Sequence, residues 1–273
     1  MRKEASPILP SAYELESIVE VDNVLAQAAR RAAAGADEGT LIWAQRQTNA
    51  RTRRHPWDAP DGNLHCALII RPDFDNQRSQ QLCAVAAVAA GSAIAEVVAP
   101  MTGTGLCWPG DLLINELLAG QVQFAVPACD DHGKSDGQGS CNSERWPWLV
   151  IALSVNVAHH PQNQEPEEFN SIHDSGDSKD VTPTEVLELF TRHFLRWINI
   201  WAEDGFKPVR EEWMRRARDL ELPRALPFEH GHYVGINRGI GEHGELLLDT
   251  GAAQAVTLSI AEYFAAPTAD KNA

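Results

Sequence analysis

The chain has 273 residues and a mass of 30.0 kDa, enough for one large domain or for a domain with a small appendage. Hydrophobic residues make up 44% and charged residues 22%, so the composition allows a buried core and argues against global disorder. Lys and Arg number 23 against 38 Asp and Glu, a formal net charge of -15. Because so acidic a surface repels phosphates, a general nucleic-acid or anionic-membrane binder is disfavoured.

The cysteine pattern and the N-terminal sequence indicate a reducing compartment. The five cysteines form no C-x-x-C pair, and free thiols are therefore expected. The N-terminal residues do not lead into an apolar signal core. The most apolar stretch, residues 82–99, is interrupted by Gly91, Ser92 and Glu96, which is typical of a buried helix rather than a membrane span. We expect a soluble, cytoplasmic protein.

The first third of the chain alternates between helical and extended patterns. Apolar spacing predicts a helix over 15–34 and an Ala-rich helix over 79–98. Short strands are predicted at 40–44 and 64–70. Residues 46–62 between these strands are rich in Arg and Pro and predict a loop.

The middle of the chain predicts a hairpin, a buried strand and two polar loops. The hairpin covers residues 106–124 and turns at Asn115-Glu116, and the apolar strand covers 148–157. The loops are predicted at 130–145 and 159–180.

Two helices and a small β module complete the chain. Thr182, Pro183 and Glu185 form a capping pattern that predicts the start of a helix, and Gly205 predicts its end. A shorter helix is predicted over 208–220, and short strands separated by Gly-containing turns are predicted from Gly231 onward.

A cluster of arginines is the first candidate site. Arg51, Arg53 and Arg54 occupy three of four consecutive positions, and Arg46 precedes them. Guanidinium groups this close repel one another unless an anion lies between them, and their planar donors suit phosphate and carboxylate oxygens. A solvated basic loop on an acidic protein explains the cluster equally well.

Three further positions combine polar or small residues with apolar surroundings. Asp111 follows the turn Trp108-Pro109-Gly110, where a carboxylate either binds a ligand or caps the turn. Gly120 permits close backbone approach to a ligand, and Asn156 is a single polar side chain at the end of a buried strand.

Histidines and one cysteine are weaker candidates. His159, His160, His173 and Asp174 are spaced too loosely for a typical metal site, so we predict no metal centre. Cys107 is either a buried inert thiol or an acyl-carrying nucleophile, and its neighbours in sequence include no obvious base.

The order and spacing of these segments resemble the biotin/lipoate protein ligase family. The stretch G-T-L-I-W-A-Q-R-Q-T from Gly39, the cluster R-T-R-R from Arg51, Trp57 and the D-G-N-L from Asp61 are similar to the signature loop of that family. The W-P-G-D, L-L-A-G and S-V-N-V segments, which begin at Trp108, Leu117 and Ser154, are similar to its W-P-N-D, K-x-A-G and G-I-x-V-N segments. The resemblance covers residues 17–157, and the tail from Gly231 resembles the SH3-like C-terminal module of such ligases.

The resemblance implies an α+β fold in which a mixed sheet flanked by helices, as in class II synthetases and biotin/lipoate ligases, precedes a small SH3-like β-barrel. We therefore expect a catalytic-type domain over residues 1–220 and a small β module over 221–273. It also implies that MgATP adenylates the carboxylate of biotin or lipoate, and that the acyl group passes to a lysine of a carrier domain. A homodimer is one candidate assembly, and the resemblance implies no nucleic-acid partner.

The resemblance also assigns roles to individual residues. Arg51 and Arg53 would hold the phosphate and the ligand carboxylate, and with Asp111 they form the expected catalytic set. Gln47 and Gly120 would border the acyl ligand. The expected ligand-binding set is completed by Arg54, Trp57, Asn63, Trp108 and Asn156.

Departures from the family pattern leave two alternatives open. The lysine of K-x-A-G is Leu117 here, and the glycines between the signature arginines are absent. These changes favour a protein that binds a cofactor, nucleotide or modified carrier without ligation. A carrier- or coenzyme A-dependent acyltransferase that uses Cys107 without ATP is the second alternative.

Overall fold

The computed structural model describes residues 6–50, 57, 60–127, 144–161, 168–176, 178–228, 231–252 and 255–265. Within these residues, seven strands form one mixed sheet in the order β1-β2-β3-β7-β6-β5-β4. The β1–β2 pair is parallel and the other pairs are antiparallel, so the predicted mixed sheet is confirmed. The strands are β1 Glu14–Val21, β2 Thr40–Gln47, β3 Leu64–Ile70, β4 Thr104–Cys107, β5 Asp111–Ile114, β6 Leu117–Ala125 and β7 Leu149–Val155.

The predicted helix over 15–34 is wrong in its first half. Residues Glu14–Val21 form β1, and only Val24–Ala33 are helical, as α1. The β-branched Ile18, Val19 and Val21 favour an extended strand, which gains a hydrogen-bonded partner in β2. Asn23 then starts the helix, because its Oδ1 accepts a hydrogen bond from the Ala26 N–H at 2.9 Å.

Helices cover both faces of the sheet. On one face, α2 (Asn76–Val97) and α3 (Pro183–Asp204) enclose the larger core, and α1 covers part of the other face. The Ala-rich α2 is long and apolar enough to cross a membrane, but its most apolar window is 78% buried inside the protein. Its small side chains allow it to pack closely on neighbouring helices, as expected for a core helix.

The capping pattern at Thr182 is confirmed. Thr182 Oγ1 accepts a hydrogen bond from the Glu185 N–H at 3.2 Å, and the helix ends at Gly205, where φ is 78°. The next helix, α4 (Lys207–Arg216), buries Val209 and Trp213 against the core.

The hairpin prediction is also confirmed. Asn115 and Glu116 connect β5 to β6 with φ angles of 51° and 66°. Positive φ at both central residues is typical of a two-residue hairpin turn, and the Asn115 side chain also accepts a hydrogen bond from the Gly103 N–H.

A second sheet follows α4, in the order β11-β10-β9-β8. Its strands are antiparallel. Trp108 Nε1 and Gln81 Nε2 donate hydrogen bonds to the Gly244 and Glu242 carbonyls, which lie between its strands β9 and β10. Sequence patterns predict its last three strands, whereas β8 and the final helix were not predicted. The elements are β8 Pro223–Phe228, β9 Gly231–Ile240, β10 Leu246–Asp249, β11 Val256–Leu258 and α5 Ile260–Ala265.

The predicted loops lie partly beyond the described residues. Most of 130–145 falls outside them, as do Cys129 and Cys141. In the loop predicted over 159–180, Phe169 pairs with Leu118 in an isolated bridge and His173–Ser175 form a 3-10 turn. The predicted boundary between residues 220 and 221 falls between α4 and β8.

Candidate active site

A row of polar side chains crosses the sheet face that α1 only partly covers. His65 of β3 is the register partner of Ser154 of β7, Ser154 is opposite Gln121 of β6, and Gln121 is opposite Asp111 of β5. Directly opposite positions on antiparallel strands place side chains on the same face. The part of this sheet face that packs against α1 is apolar. The polar row begins beyond the end of α1.

Hydrogen bonds connect this row in two groups. His65 Nδ1 lies 3.2 Å from Ser154 Oγ. Gln121 Nε2 donates to Asp111 Oδ1 at 2.7 Å, and Gln123 Nε2 donates to Gln121 Oε1 at 3.2 Å. Asp111 is only 3% exposed, and the Gln121 amide therefore supplies one of the donors that a buried carboxylate requires.

His65 is fully buried, and burial lowers its pKa to about 4. Removal from water disfavours the charged imidazolium, so the side chain is neutral at pH 7. Its Nε2 has no hydrogen-bond partner among the described residues. A buried nitrogen without a partner is uncommon and marks this row as a site with incomplete polar contacts.

A small cavity lies between the polar row and the N-terminus of α1. Its volume is about 10 Å³, room for roughly one water molecule. Gln47 Oε1 accepts a hydrogen bond from the Val24 N–H, an N-terminal donor of α1, at 2.7 Å. The lining residues are uncharged: Asn23, Gln47, Ala50, Trp57, Gln121, Gln123 and Ser154.

Trp57 closes one side of this cavity. Its side chain is 4% exposed, its backbone N–H donates to the Ala50 carbonyl at 3.0 Å, and its ring meets the Phe169 ring edge-to-face at 5.8 Å. Ala50, Trp57 and Phe169 form a small hydrophobic cluster with Leu118. The sequence-predicted Gln47 and Trp57 are therefore brought to the same cavity.

A larger cavity of about 500 Å³ adjoins the other end of the polar row. Gln121 lines both cavities and therefore lies at their junction. The large cavity extends from the β5–β6 hairpin to the start of the second sheet. It is lined by Cys107, Asp111, Leu113, Glu116, Leu117, Leu118, Gln121, Glu168, Phe169, Asp219, Leu222, Pro223 and Arg224.

Asn63 fixes the loop that follows β7. Its Oδ1 accepts hydrogen bonds from the backbone N–H groups of Val157, Ala158 and His159 at 3.0 to 3.1 Å, and its Nδ2 donates to the His159 carbonyl at 2.8 Å. These bonds occupy the side chain, so they give Asn63 an anchoring role. Its expected part in ligand binding stays a prediction.

Unlike Asn63, Asn156 has a side-chain oxygen that accepts no hydrogen bond from the described residues. Its Nδ2 donates to the Asn170 carbonyl at 3.1 Å, while its buried Oδ1 has no partner among the described residues. The side chain is fully buried, and its unpaired oxygen therefore suits a ligand N–H.

Gly120 and Trp108 lie near the site but face different neighbours. A Cβ at Gly120 would lie 2.8 Å from the Ser154 carbonyl oxygen, so close strand packing requires glycine there. Trp108 is 1% exposed, donates to Gly244 and packs edge-to-face on Tyr263 at 4.8 Å. In the structure Trp108 joins the two sheets.

The predicted arginines Arg51, Arg53 and Arg54 lie outside the described residues. They belong to the segment between Ala50 and Trp57, both of which line the small cavity. Their roles stay predictions.

The described residues include no cluster of three ligating side chains that would hold a metal ion. His160 Nε2 lies 3.6 Å from the Asp174 carboxylate, and His173 Nε2 lies 2.8 Å from the Val181 carbonyl oxygen. Cys107 lies opposite Asp111, while His65 is four strands away, about 19 Å at the usual strand spacing. The geometry therefore gives no Cys107–His65 pair.

Sequence reasoning missed several site residues. Ser154, Gln121, Gln123, His65, Phe169 and Arg224 were not predicted as functional. A signal was present for two of them, since Gln121 and Gln123 alternate with buried Val122 and Phe124 in β6. The others depend on strand pairing and on packing between distant segments.

Comparison with known proteins identifies the family. The model of the biotin/lipoate A/B protein ligase family matches residues 9–215, about three quarters of the chain. The chain belongs to this family.

Two curated relatives show how the match is distributed. A biotin–[acetyl-CoA-carboxylase] ligase of Paracoccus denitrificans is 28% identical over 240 residues, which cover 86% of this chain and 94% of that protein. The bifunctional ligase/repressor BirA of Bacillus subtilis is 28% identical over 220 residues, which cover 79% of this chain. The match spans 63% of the length of the Bacillus protein.

Solved structures show the same fold. A biotin protein ligase-like protein of unknown function from Silicibacter sp. TM1040 has a TM-score of 0.72 at 21% identity and covers 93% of this chain and 97% of its own. The Aquifex aeolicus biotin protein ligase in complex with biotin and ATP has a TM-score of 0.68 at 20% identity, with coverage of 91% and 97%.

Proposed function

We propose that this protein is an ATP-dependent ligase that converts biotin or a similar acid, such as lipoate, into an acyl-adenylate and transfers the acyl group to a lysine of a carrier domain. Family membership supports the reaction class. The main structural support is the cavity of about 500 Å³ beside the polar row, where the uncharged amide of Gln121 adjoins the charged Asp111 and Arg224. An adenylating enzyme needs a space in which the acid and the nucleotide lie side by side.

The chemistry requires positive charge at the junction. The acid carboxylate attacks the α-phosphate of ATP, forming a C–O–P linkage and releasing pyrophosphate. Because both reactants are anions, cationic donors must offset their repulsion. Arg51 and Arg53 are proposed to provide these donors, since the chain positions on both sides of them border the small cavity.

Uncharged groups would hold the rest of the ligand. Gln47, Gln121 and Ser154 offer amide and hydroxyl groups to the acid, and Gly120 allows its strand to pack closely beside them. The unpaired Asn156 Oδ1 offers an acceptor to an amino group such as that of adenine. These assignments extend the motif resemblance to particular atoms.

Magnesium would enter with the nucleotide. Mg²⁺ is usually bound through one or two carboxylates together with substrate phosphates, and Asp111, Glu116 and Glu168 line the large cavity. Its chemical contribution would be to neutralise phosphate charge. The carboxylates present fit that role, although the described residues contain no ready-made cluster of three ligands.

The acceptor protein is proposed from the name of one relative. The Paracoccus relative is named for acetyl-CoA carboxylase, so we propose a biotin carboxyl carrier domain as the acceptor. We also propose that the second sheet closes into an SH3-like barrel. A cytoplasmic location is a further proposal.

Leu117 favours one rival function, binding without ligation. It lines the large cavity and cannot stabilise charge on an acyl-phosphate. The Cys107 acyltransferase is the second rival, since Cys107 also lines the large cavity.

The test is acid-dependent exchange of radiolabelled pyrophosphate into ATP, with biotin, lipoate and octanoate as separate substrates. Exchange with one acid, followed by a mass increase on a biotin carboxyl carrier domain, supports the proposal. Arg51→Ala should abolish exchange, whereas Arg30→Ala is the matched control, because Arg30 is a surface residue paired with Asp22.

Two other outcomes identify the rivals. Thermal stabilisation by an acid or ATP without any exchange would establish binding only. A labelled thioester that disappears in Cys107→Ser would establish the acyltransferase.

A further inference from the structure

Arg224 projects from the second sheet into the large cavity. It lies in β8, where its backbone is paired with Gly235 of β9. The same cavity is bordered on the opposite side by Asp111 and Leu117 of the β5–β6 hairpin. Arg224 and the hairpin residues Asp111 and Leu117 are more than 100 positions apart in the chain, yet they line the same cavity.

The Arg224 guanidinium is mostly buried and only partly used. Its side chain is 10% exposed, and its Nη1 donates to the Asp219 carboxylate in a close ion pair. Its Nε and Nη2 groups donate no hydrogen bond within the described part of the chain. Because Arg224 lines the cavity, these donors are available to an acceptor that enters it.

Leu117 explains why a cation is needed there. In the family pattern this position is a lysine, and an apolar side chain leaves developing charge on an acyl-phosphate without a partner. We propose that Arg224 supplies to the phosphate of the nucleotide or acyl-adenylate the positive charge that Leu117 cannot supply. This inference rests on the proposed function.

The other charges around the cavity limit where a phosphate can bind. Asp111 accepts from Gln121, Glu116 pairs with Arg218 at 3.5 Å, Glu168 also lines the cavity, and Asp219 is held by Arg224. The carboxylates repel an anion, whereas the free donors of Arg224 attract one. A phosphate is therefore expected beside Arg224, with Mg²⁺ facing the carboxylates.

The decisive variants change one charge at a time. Arg224→Gln should lower kcat/KM for ATP in pyrophosphate exchange on the order of 100-fold, as expected for the loss of one preorganised donor to developing charge. Adding Leu117→Lys to Arg224→Gln should restore a substantial part of the lost activity, because it returns a cation to the same cavity. A purely structural role for Arg224 would not be rescued by a lysine on another strand.

Arg238→Gln is the matched control. Arg238 lies on β9 of the same sheet, is exposed, and pairs with Glu221 and Asp249 away from the cavity lining. Its variant should exchange pyrophosphate at the wild-type rate. If Arg224→Gln does not fold, Arg224→Lys keeps a charge for Asp219 but has fewer donors, and it should weaken MgATP or AMP binding about 10-fold.

Calorimetric titration with MgATP and with AMP separates this inference from the proposed function. If no acid supports exchange but wild type binds AMP or MgATP and Arg224→Gln or Arg224→Lys binds it more weakly, only the ligase proposal fails. Wild-type exchange and binding in a folded Arg224 variant would overturn the role of Arg224 alone. Wild-type protein that binds neither AMP nor MgATP would overturn both.

Discussion

The buried histidine of the polar row should make folding stability depend on pH. His65 is fully buried in the sheet and is neutral at pH 7, because burial lowers its pKa to about 4 from the ordinary histidine value of 6.5. In the unfolded chain the imidazole takes up a proton at a higher pH than in the folded protein. The unfolded state therefore binds more protons, and stability falls as pH decreases from about 6.5 towards 4.

The size of this effect follows from the difference in pKa. One pKa unit corresponds to about 1.4 kcal/mol, so the full effect of protonation is about 3 kcal/mol. About 2 kcal/mol of that loss should be reached at pH 5 relative to pH 7. Such a loss is a large fraction of the 5–15 kcal/mol that is typical of a domain.

Urea unfolding at pH 7 and pH 5 measures this directly. The loss of unfolding free energy between the two pH values should be about 2 kcal/mol smaller in His65→Gln than in wild type. Ser154→Ala is the matched control, since it removes the hydroxyl beside His65 but leaves the titrating ring in place. If His65→Gln and wild type lose the same free energy, burial does not hold the ring neutral and the reasoning is refuted.

Three further substitutions test the scaffold around the site. Asn63→Ala should lower the unfolding free energy by about 3 kcal/mol in urea titrations, because the Val157 and His159 N–H groups lose their acceptor and the His159 carbonyl loses a donor. Gly120→Ala should cost about 1–3 kcal/mol, because its Cβ would lie 2.8 Å from a backbone oxygen, whereas Gly103→Ala has no contact closer than 3.7 Å. Asn156→Leu should weaken MgATP binding about 10-fold in calorimetry, and unchanged affinity would exclude a contact from Oδ1.

Secondary structure was predictable where local signals agreed. The capping group at Thr182 and the turn at Asn115-Glu116 each combine a side-chain or backbone requirement with the right hydrophobic pattern, and both are confirmed. The N-terminal helix was predicted too long, because apolar spacing in residues 15–21 is compatible with either structure. Pairing with β2 decides for a strand, and that contact is not visible in sequence.

β8 was not predicted for a similar reason. It begins at Pro223 and contains Pro227, and proline normally argues against a strand because it lacks an N–H donor. β8 lies at the edge of its sheet, where unpaired positions tolerate proline. Edge position is a property of the assembled sheet and cannot be deduced from the segment alone.

The candidate site was predictable only as far as its motifs. Gln47, Trp57 and Asp111 come from segments that resemble the family, and all three line one of the two adjoining cavities. The polar row could not be predicted, since His65, Ser154 and Gln121 become neighbours only through the register of β3, β7 and β6.

The distribution of charge between the two cavities determines how an acid would be oriented. The described lining of the small cavity is uncharged, and a carboxylate buried there would lose its hydration without gaining an opposite charge. Arg224 lines the large cavity instead. A ligand with a neutral polar head and a carboxylate tail would therefore lie along the polar row, with its head towards Ser154 and its carboxylate at Gln121. That orientation brings the reacting oxygen to the cavity in which the phosphate is proposed to bind.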